Sequence, residues 1–174
     1  MSDWRSIYDN AAPRDLAKGD TLFRRDDPVK SMFLVRSGEI ALERSMADGT
    51  ALTLHIATDG MAVAEASLFA DTYHCDAVAR YPTTIATLPR NVAMNAFRAS
   101  SDAALGLMSV LARDVQTQRA RIEILRLRRV ADRLDAWLDL YGPPKESGWV
   151  RVADAIGVSQ PALYRELARR RSSS

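Results

Sequence analysis

Residues 152–171 read VADAIGVSQPALYRELARRR. Ala153 is small enough to let two helices approach closely. Gly157 stands where a first helix ends on a left-handed residue, and Ser159 offers a hydroxyl to cap a second. Pro161 falls in that second helix's first turn, where its missing N–H costs little. Leu163 and Leu167, at i and i+4, turn inward against Ile156 and Val158. Gln160, Tyr164, Arg165 and Arg169 are left facing outward. The spacing predicts helix, tight turn, helix, with an ordinary helical hairpin as the plain alternative. In the helix-turn-helix arrangement the second helix enters the DNA major groove. Arg165 then suits a bidentate pair with guanine and Gln160 one with adenine. Ser159, Tyr164, Arg169 and Arg170 suit phosphate contacts. With Pro161 these seven are the candidate DNA-binding residues.

The charge distribution points the same way. The formal net charge is only +2. Residues 1–108 carry 11 Lys/Arg against 14 Asp/Glu, whereas residues 109–174 carry 13 against 8. The basic half is the natural place for a nucleic-acid surface, although a charged helix surface would also look like this.

Upstream, Ser100, Ser101 and Asp102 offer N-caps for a long helix. Met108, Leu111, Val115, Gln118, Ile122 and Leu125 follow at alternating three- and four-residue steps. Such a narrow stripe, ringed by Arg113, Arg119, Arg121 and Glu123, reads as a coiled-coil seam, although a lone surface helix would also carry an apolar stripe against its own domain; these six are the candidate dimer-interface residues. Gln118 in the seam lowers stability but fixes register. Residues 129–141 continue helical until Gly142-Pro143-Pro144. GWVRV (148–152) reads as a short strand.

Before Pro89 the pattern is different. TLFR, MFLVRSG, EIALERS, ALTLHIA and TTIATL are short apolar or alternating runs broken by DDP, SG, ADGT, TDG and YP. Many short strands at regular spacing predict an antiparallel sandwich or barrel. Asp48-Gly49 supplies the turn of a hairpin over 39–56. Asp15 to Gly19 reads as the end of a short helix or loop, and Asn91 to Arg98 as a short helix. The expected class is α+β: an antiparallel, jelly-roll-like β-roll over 1–99, a long dimerisation helix over 100–128, and a helix-turn-helix domain over 129–174.

This order of parts resembles the CRP/FNR family of bacterial transcription regulators over nearly the whole chain. Gly19-Asp20, residues 33–38 (FLVRSG), Asp48-Gly49 and Gly60…Glu65…Leu68-Phe69 match the β-roll glycines and the cyclic-nucleotide cassette. Gly157, Ser159, Leu163 and Arg165 match the DNA-reading end. The resemblance implies a sensory β-roll, a homodimer and a two-fold symmetric double-stranded operator, with RNA polymerase as a candidate further partner. In nucleotide-binding members the cassette reads Gly-Glu, then an arginine about ten residues on. The glutamate takes the ribose hydroxyl and the arginine the cyclic phosphate. Here the candidate effector-pocket residues are Gly60, Ala64, Glu65, Ala66, Cys75 and Asp76. Ala64 replaces the glycine, Cys75 stands at the arginine, and Asp76 adds negative charge if it faces inward. A phosphate would lose a charge-assisted partner. The pocket is therefore expected not to respond to cAMP, with Arg80 brought in only by a slipped alignment. Cys75 reads as a small apolar filler, with cyclic nucleotide, haem or redox sensing as minor alternatives. Members usually continue into a β-hairpin wing, and the sequence stops at Ser174.

Composition excludes several classes. The chain has 174 residues, 47% hydrophobic and 26% charged, which fits one globular domain, or one plus a small second one. No apolar run reaches the length of a membrane span, and MSDWRSIYDN lacks a signal-peptide pattern. One cysteine cannot form an internal disulfide, so a cytoplasmic setting is expected. No catalytic set, phosphate-cradling glycine loop or metal-ligand spacing stands out, so an enzyme is not expected, and no cofactor beyond an unknown small-molecule effector. The competing reading is a sensor or interaction protein derived from such a regulator that no longer binds DNA.

Overall fold

A computed structural model describes residues 3–47, 49–145 and 148–172. The chain divides into two compact units, Met1–Ser109 and Val110–Ser174.

Among its described residues the first unit holds eight strands: β1 (Pro13–Leu16), β2 (Thr21–Phe23), β3 (Ser31–Ser37), β4 (Glu39–Ser45), β5 (Ala51–Thr58), β6 (Ala62–Val63), β7 (Asp76–Ala79) and β8 (Thr83–Pro89). They form two four-stranded antiparallel sheets, ordered β1-β8-β3-β6 and β2-β7-β4-β5. The α+β class with a β-roll is the architecture found. Alternation along each strand sends Val35, Ile40, Leu42, Val63, Ala77, Ala79 and Ile85 into one core. Burying an aliphatic side chain of this size contributes about 1.5–3 kcal/mol. Phe23 stacks on Tyr73 with ring centroids 3.8 Å apart, and the Tyr73 hydroxyl donates to the Ser31 carbonyl at 2.9 Å. Gly38 turns β3 into β4 at φ +97°. A Cβ there would lie 2.5 Å from Thr83 Oγ1 and 2.6 Å from the Pro82 carbonyl, so only glycine fits.

The hairpin expected over 39–56 is β4–β5. Gly49 takes φ +81°, and the Met46 N–H donates across the turn to the Thr50 carbonyl at 2.8 Å. Asp48 lies outside the described residues. Two expectations fail. Asp15 and Leu16 are not a helix end but part of β1, paired to β8 through Asp15↔Thr84 and Leu16↔Thr83. Only Leu16 of that strand is buried, so it carried almost no hydrophobic pattern to read. GWVRV is not a strand. Trp149–Ala155 is a helix, because Trp149, Val152, Ala153 and Ile156 recur at helical spacing and share one core. Tertiary burial overrides the β preference of Val150 and Val152.

Helix α1 (Arg90–Ala99) follows β8. Helix α2 (Ser101–Arg126) is capped by Ser100, whose Oγ accepts the Ala103 N–H at 3.2 Å. In the first unit Ala103 and Leu107 are buried, and a 3₁₀ turn at Trp4–Tyr8 sets Trp4 against Gly106. The second unit contains the rest of α2, α3 (Val130–Tyr141), α4 (Trp149–Ala155) and α5 (Gln160–Ser172). Its core is Ile124, Leu134, Val152, Ala153, Ile156 and Leu163.

Candidate functional sites

The candidate effector residues of the β-roll are placed by the segment after β6. Gly60 turns at φ +78°; its N–H donates to the Val35 carbonyl at 2.8 Å and its carbonyl accepts Arg5 Nε at 2.7 Å. Ala64 follows in the left-handed region, φ +74°, and starts a 3₁₀ turn at Glu65–Ser67. Ala66 is exposed and Glu65 half-buried. The Glu65 carboxylate is close enough to raise both the Tyr8 phenol, already held high by burial, and the Cys75 thiol. Ser67 Oγ and His74 Nδ1 lie 3.1 Å apart and tie this turn to the loop before β7.

Cys75 is buried in the core cluster. Burial first, then Asp76 and Glu65, push its thiol up to about 11, with Arg44 pulling the other way. That is the opposite of an activated thiolate. Asp76 and Arg80 face away from Cys75. Ala77 and Ala79 point into the core, so Asp76 and Arg80 take the other side of the strand. Asp76 Oδ1 accepts the Arg25 N–H at 2.8 Å, and Arg80 pairs with Glu43 at 3.3 Å. Asp76 and Arg80 therefore lie on the opposite side of the strand from Cys75. Among the described residues, no group of three or more His, Cys, Asp or Glu side chains is placed to hold a metal.

The second site is the α4–α5 pair. Gly157, at φ +65°, closes α4 through two bonds: its own N–H to the Asp154 carbonyl at 3.3 Å, and the Val158 N–H to the Ala153 carbonyl at 3.0 Å. This is a Schellman ending. Ser159 then caps α5, its Oγ accepting the Ala162 N–H at 3.4 Å. Leu163 is fully buried, and Leu167 and Val158 pack against the same core. Ser159, Gln160, Pro161, Tyr164 and Arg165 are exposed on the opposite side. Arg165 has no ion pair within the described residues. Arg169 and Arg170 differ. Arg169 binds Glu166 at 2.7 and 2.9 Å, and Arg170 binds Asp135 at 2.6 Å and Glu166 at 2.8 Å. These bonds hold the Glu166 carboxyl down at about 2 and clasp α5 onto α3. Both arginines are thus already engaged within the unit.

Arg133 went unnoticed in the sequence. Its guanidinium donates to the carbonyls of Leu125 (3.2 Å) and Leu127 (2.8 Å) at the end of α2, and to Ile156 (3.1 Å) and Gly157 (3.3 Å) in the turn. Arg121 Nη2 adds a bond to the Asp154 carbonyl at 3.2 Å. The end of the long helix is thereby fastened to the turn between α4 and α5. Nothing in the arginine-rich sequence 119–133 distinguishes Arg133 from its neighbours.

On α2 the seam positions Met108, Val115, Gln118, Ile122 and Leu125 are all exposed, and Leu111 is half-buried. Leu105, three residues before Met108, extends the stripe and is 58% exposed.

Residues 13–100, just over half of the chain, match the cyclic nucleotide-binding domain family. The chain belongs to that family. The β-roll followed by helices also matches solved structures of CRP/FNR-type regulators, and its fold is theirs. FixK2 from Bradyrhizobium japonicum superposes with a TM-score of 0.75 at 15% identity, over 94% of this chain and 85% of that one. The c-di-GMP-responsive global regulator CLP from Xanthomonas campestris gives 0.68 at 22% identity, over 96% and 89%. The catabolite activator protein from Thermus thermophilus gives 0.57 at 22% identity, over 97% and 82%. No curated protein matches the sequence. As a cyclic nucleotide-binding domain, the first unit keeps the left-handed turn before Glu65, although the residue there is Ala64. It carries a buried thiol where the resemblance sets the phosphate arginine. No described helix is long and apolar enough to cross a membrane.

Proposed function

We propose that this chain is a homodimeric, DNA-binding transcription regulator whose β-roll unit is a sensor for a small molecule other than cAMP. The observation that carries it is the α4–α5 pair. A closed glycine turn and a serine cap bury the inward leucines and leave Gln160, Tyr164 and Arg165 exposed on the leading end of α5. A helix so presented fits the major groove, with its first residues at base edges. The exposed stripe on α2 supports pairing with a second copy, which would give two recognition helices for a two-fold operator. Ligand binding in the β-roll would act by population shift. Arg133 and Arg121 fasten the end of α2 to the α4–α5 turn, so a change in the paired long helices would reach the recognition helices directly. The chemistry is regulatory and not enzymatic, and the setting is the cytoplasm.

The test is genomic site selection followed by binding at several salt concentrations. Affinity for a selected site should fall steeply with salt. Arg165→Ala should weaken it by ~1–3 kcal/mol and relax the preference at one base pair. Failure to enrich any site would sink the proposal. A second reading is a sensor or interaction protein that does not bind DNA, favoured by the engagement of Arg169 and Arg170 with Glu166 and Asp135. The salt slope separates the two, because a protein that neutralises no phosphates has none.

A further inference from the structure

Arg169 and Arg170 suit phosphate contacts by sequence, yet both are engaged by Glu166 and Asp135. A helix in the major groove still needs cations at its flanks, where the strands bordering the groove run. The junction between α2 and α3 presents them. Residues 125–129 read LRLRR, and Arg126, Arg128 and Arg129 are exposed. None of the three has an ion pair within the described residues. Glu123 and Asp132 are the carboxylates nearest in sequence, and neither pairs with them. The place of this junction is fixed by Arg133. Its guanidinium bonds the Leu125 and Leu127 carbonyls at 3.2 and 2.8 Å, and the Ile156 and Gly157 carbonyls at 3.1 and 3.3 Å. A Cβ on Gly157 would meet Leu125 Cδ2 at 2.6 Å, so the end of α2 touches the α4–α5 turn. Ser159 and Gln160 follow that turn directly and open α5. The junction therefore stands beside the leading end of α5, whereas Arg169 and Arg170 lie roughly 15 Å further along it, at 1.5 Å per residue.

We infer that Arg126, Arg128 and Arg129 form the phosphate grip of this chain, and that their partner is the duplex backbone bordering the groove that α5 enters. The inference rests on the proposed DNA-reading role of α5 and adds the residues that supply affinity without sequence. Gln160 and Arg165 choose the site, and the junction arginines hold the duplex. Their heads are exposed, so little desolvation opposes contact with a phosphate. Each guanidinium can offer a phosphate two parallel N–H donors, and each contact releases a counterion. Division of labour between the two arginine groups follows from their neighbours. Glu166 and Asp135 hold the pair on α5 for the fold, while no carboxylate competes for the three at the junction. Because Arg133 ties the junction to the turn, the grip and the base-reading residues meet the duplex as one rigid piece.

The test uses the full chain, a duplex carrying a site from genomic selection and a scrambled duplex of equal length. Binding is followed by fluorescence anisotropy over a wide salt range. The triple variant Arg126→Gln/Arg128→Gln/Arg129→Gln should flatten the slope of log K against log salt by about two to three per bound protomer. Its affinity should fall about tenfold to a hundredfold at low salt and converge on that of the wild type at high salt. Both duplexes should lose alike, so the preference for the selected site is unchanged. Lysine at all three positions should keep most of the slope, because counterion release follows charge. Arg14→Gln, on the exposed strand β1, should bind like the wild type. A slope unchanged by the three glutamines overturns the inference, as does a lysine variant that behaves like the glutamine one. Tighter binding of the wild type to phosphatidylglycerol vesicles than to duplex also overturns it. The two readings fail separately. If selection enriches no site but the glutamine variant loses slope on the scrambled duplex, the grip stands and the base-reading role of α5 falls. If site preference persists with the slope intact, the regulator stands and the grip falls.

Discussion

Ala64 holds φ +74°, a conformation that costs a residue with a Cβ about 1–2 kcal/mol. Glycine would release that strain. It would also forfeit a methyl buried in the core cluster, worth about 0.8 kcal/mol, and add about 0.4–1 kcal/mol of unfolded-state entropy. The terms nearly cancel, which is the physical reason alanine can stand where a glycine is expected. Ala64→Gly should therefore shift stability by less than about 1 kcal/mol in either direction. Ala64→Val should destabilise by about 2 kcal/mol or more, because a β-branched residue is a true outlier there and the site is packed. Urea midpoints at constant m-value decide it; a neutral valine would mean that the turn is not left-handed. Cys75 shows the same limit of one-residue reading. Its identity announced a lost arginine, but not that Arg44 on β4 reaches the His74 carbonyl next to it. That contact depends on the pairing of β4 with β7, which no local pattern in 38–45 or 74–79 encodes.

At the scale of elements, what was legible is what repeats or punctuates. The α4–α5 pair was readable because glycine, serine and proline each have one strong positional meaning, and the structure places all three accordingly. Strand β1 and the first turn of α4 were not, since one is a polar edge strand and the other opens a seven-residue helix on a β-branched stretch. The tightness of the turn carries a consequence. A Cβ on Gly157 would stand 2.6 Å from Leu125 Cδ2, at φ +65°. Gly157→Ala should cost the backbone strain of about 1–2 kcal/mol plus a steric share. Truncating the neighbour relieves only the second part. In the Gly157→Ala/Leu125→Ala cycle the double variant should therefore be more stable than the sum of the singles, by about 0.5–1 kcal/mol. Thermal unfolding of all four proteins measures this, and strict additivity would show that the contact plays no part. The same cycle tests the tie between the long helix and the turn, because Arg133 bonds the backbone of both residues.

For the whole molecule the decisive surface is the outer stripe of α2. Leu105, Met108, Val115 and Ile122 recur at steps of three, seven and seven and are about half or more exposed. Four large apolar side chains in a row would cost a lone chain roughly 1.5–3 kcal/mol each relative to burial, and nothing in the fold of either unit requires them to be apolar. A parallel two-stranded pairing, as proposed, would bury all four at once and carry Gln118 into the seam as a register pin. Val115→Asp and Ile122→Asp would each force a charge into that seam, at a cost of several kcal/mol. Both should weaken self-association by more than about a hundredfold, and Gln118→Leu should strengthen it while loosening register. Sedimentation equilibrium across a wide concentration range gives the association constants, and the chain's fold can be checked on the same samples by circular dichroism. If the wild type is a dimer and the aspartate variants remain equally tight, the copies meet elsewhere. The spacing of the recognition helices would then have to be set by that other contact. If the aspartate variants become folded monomers, their DNA affinity should fall to that of one half-site. That loss would exceed what Arg165→Ala removes, because it forfeits the linkage between two sites and not one base contact.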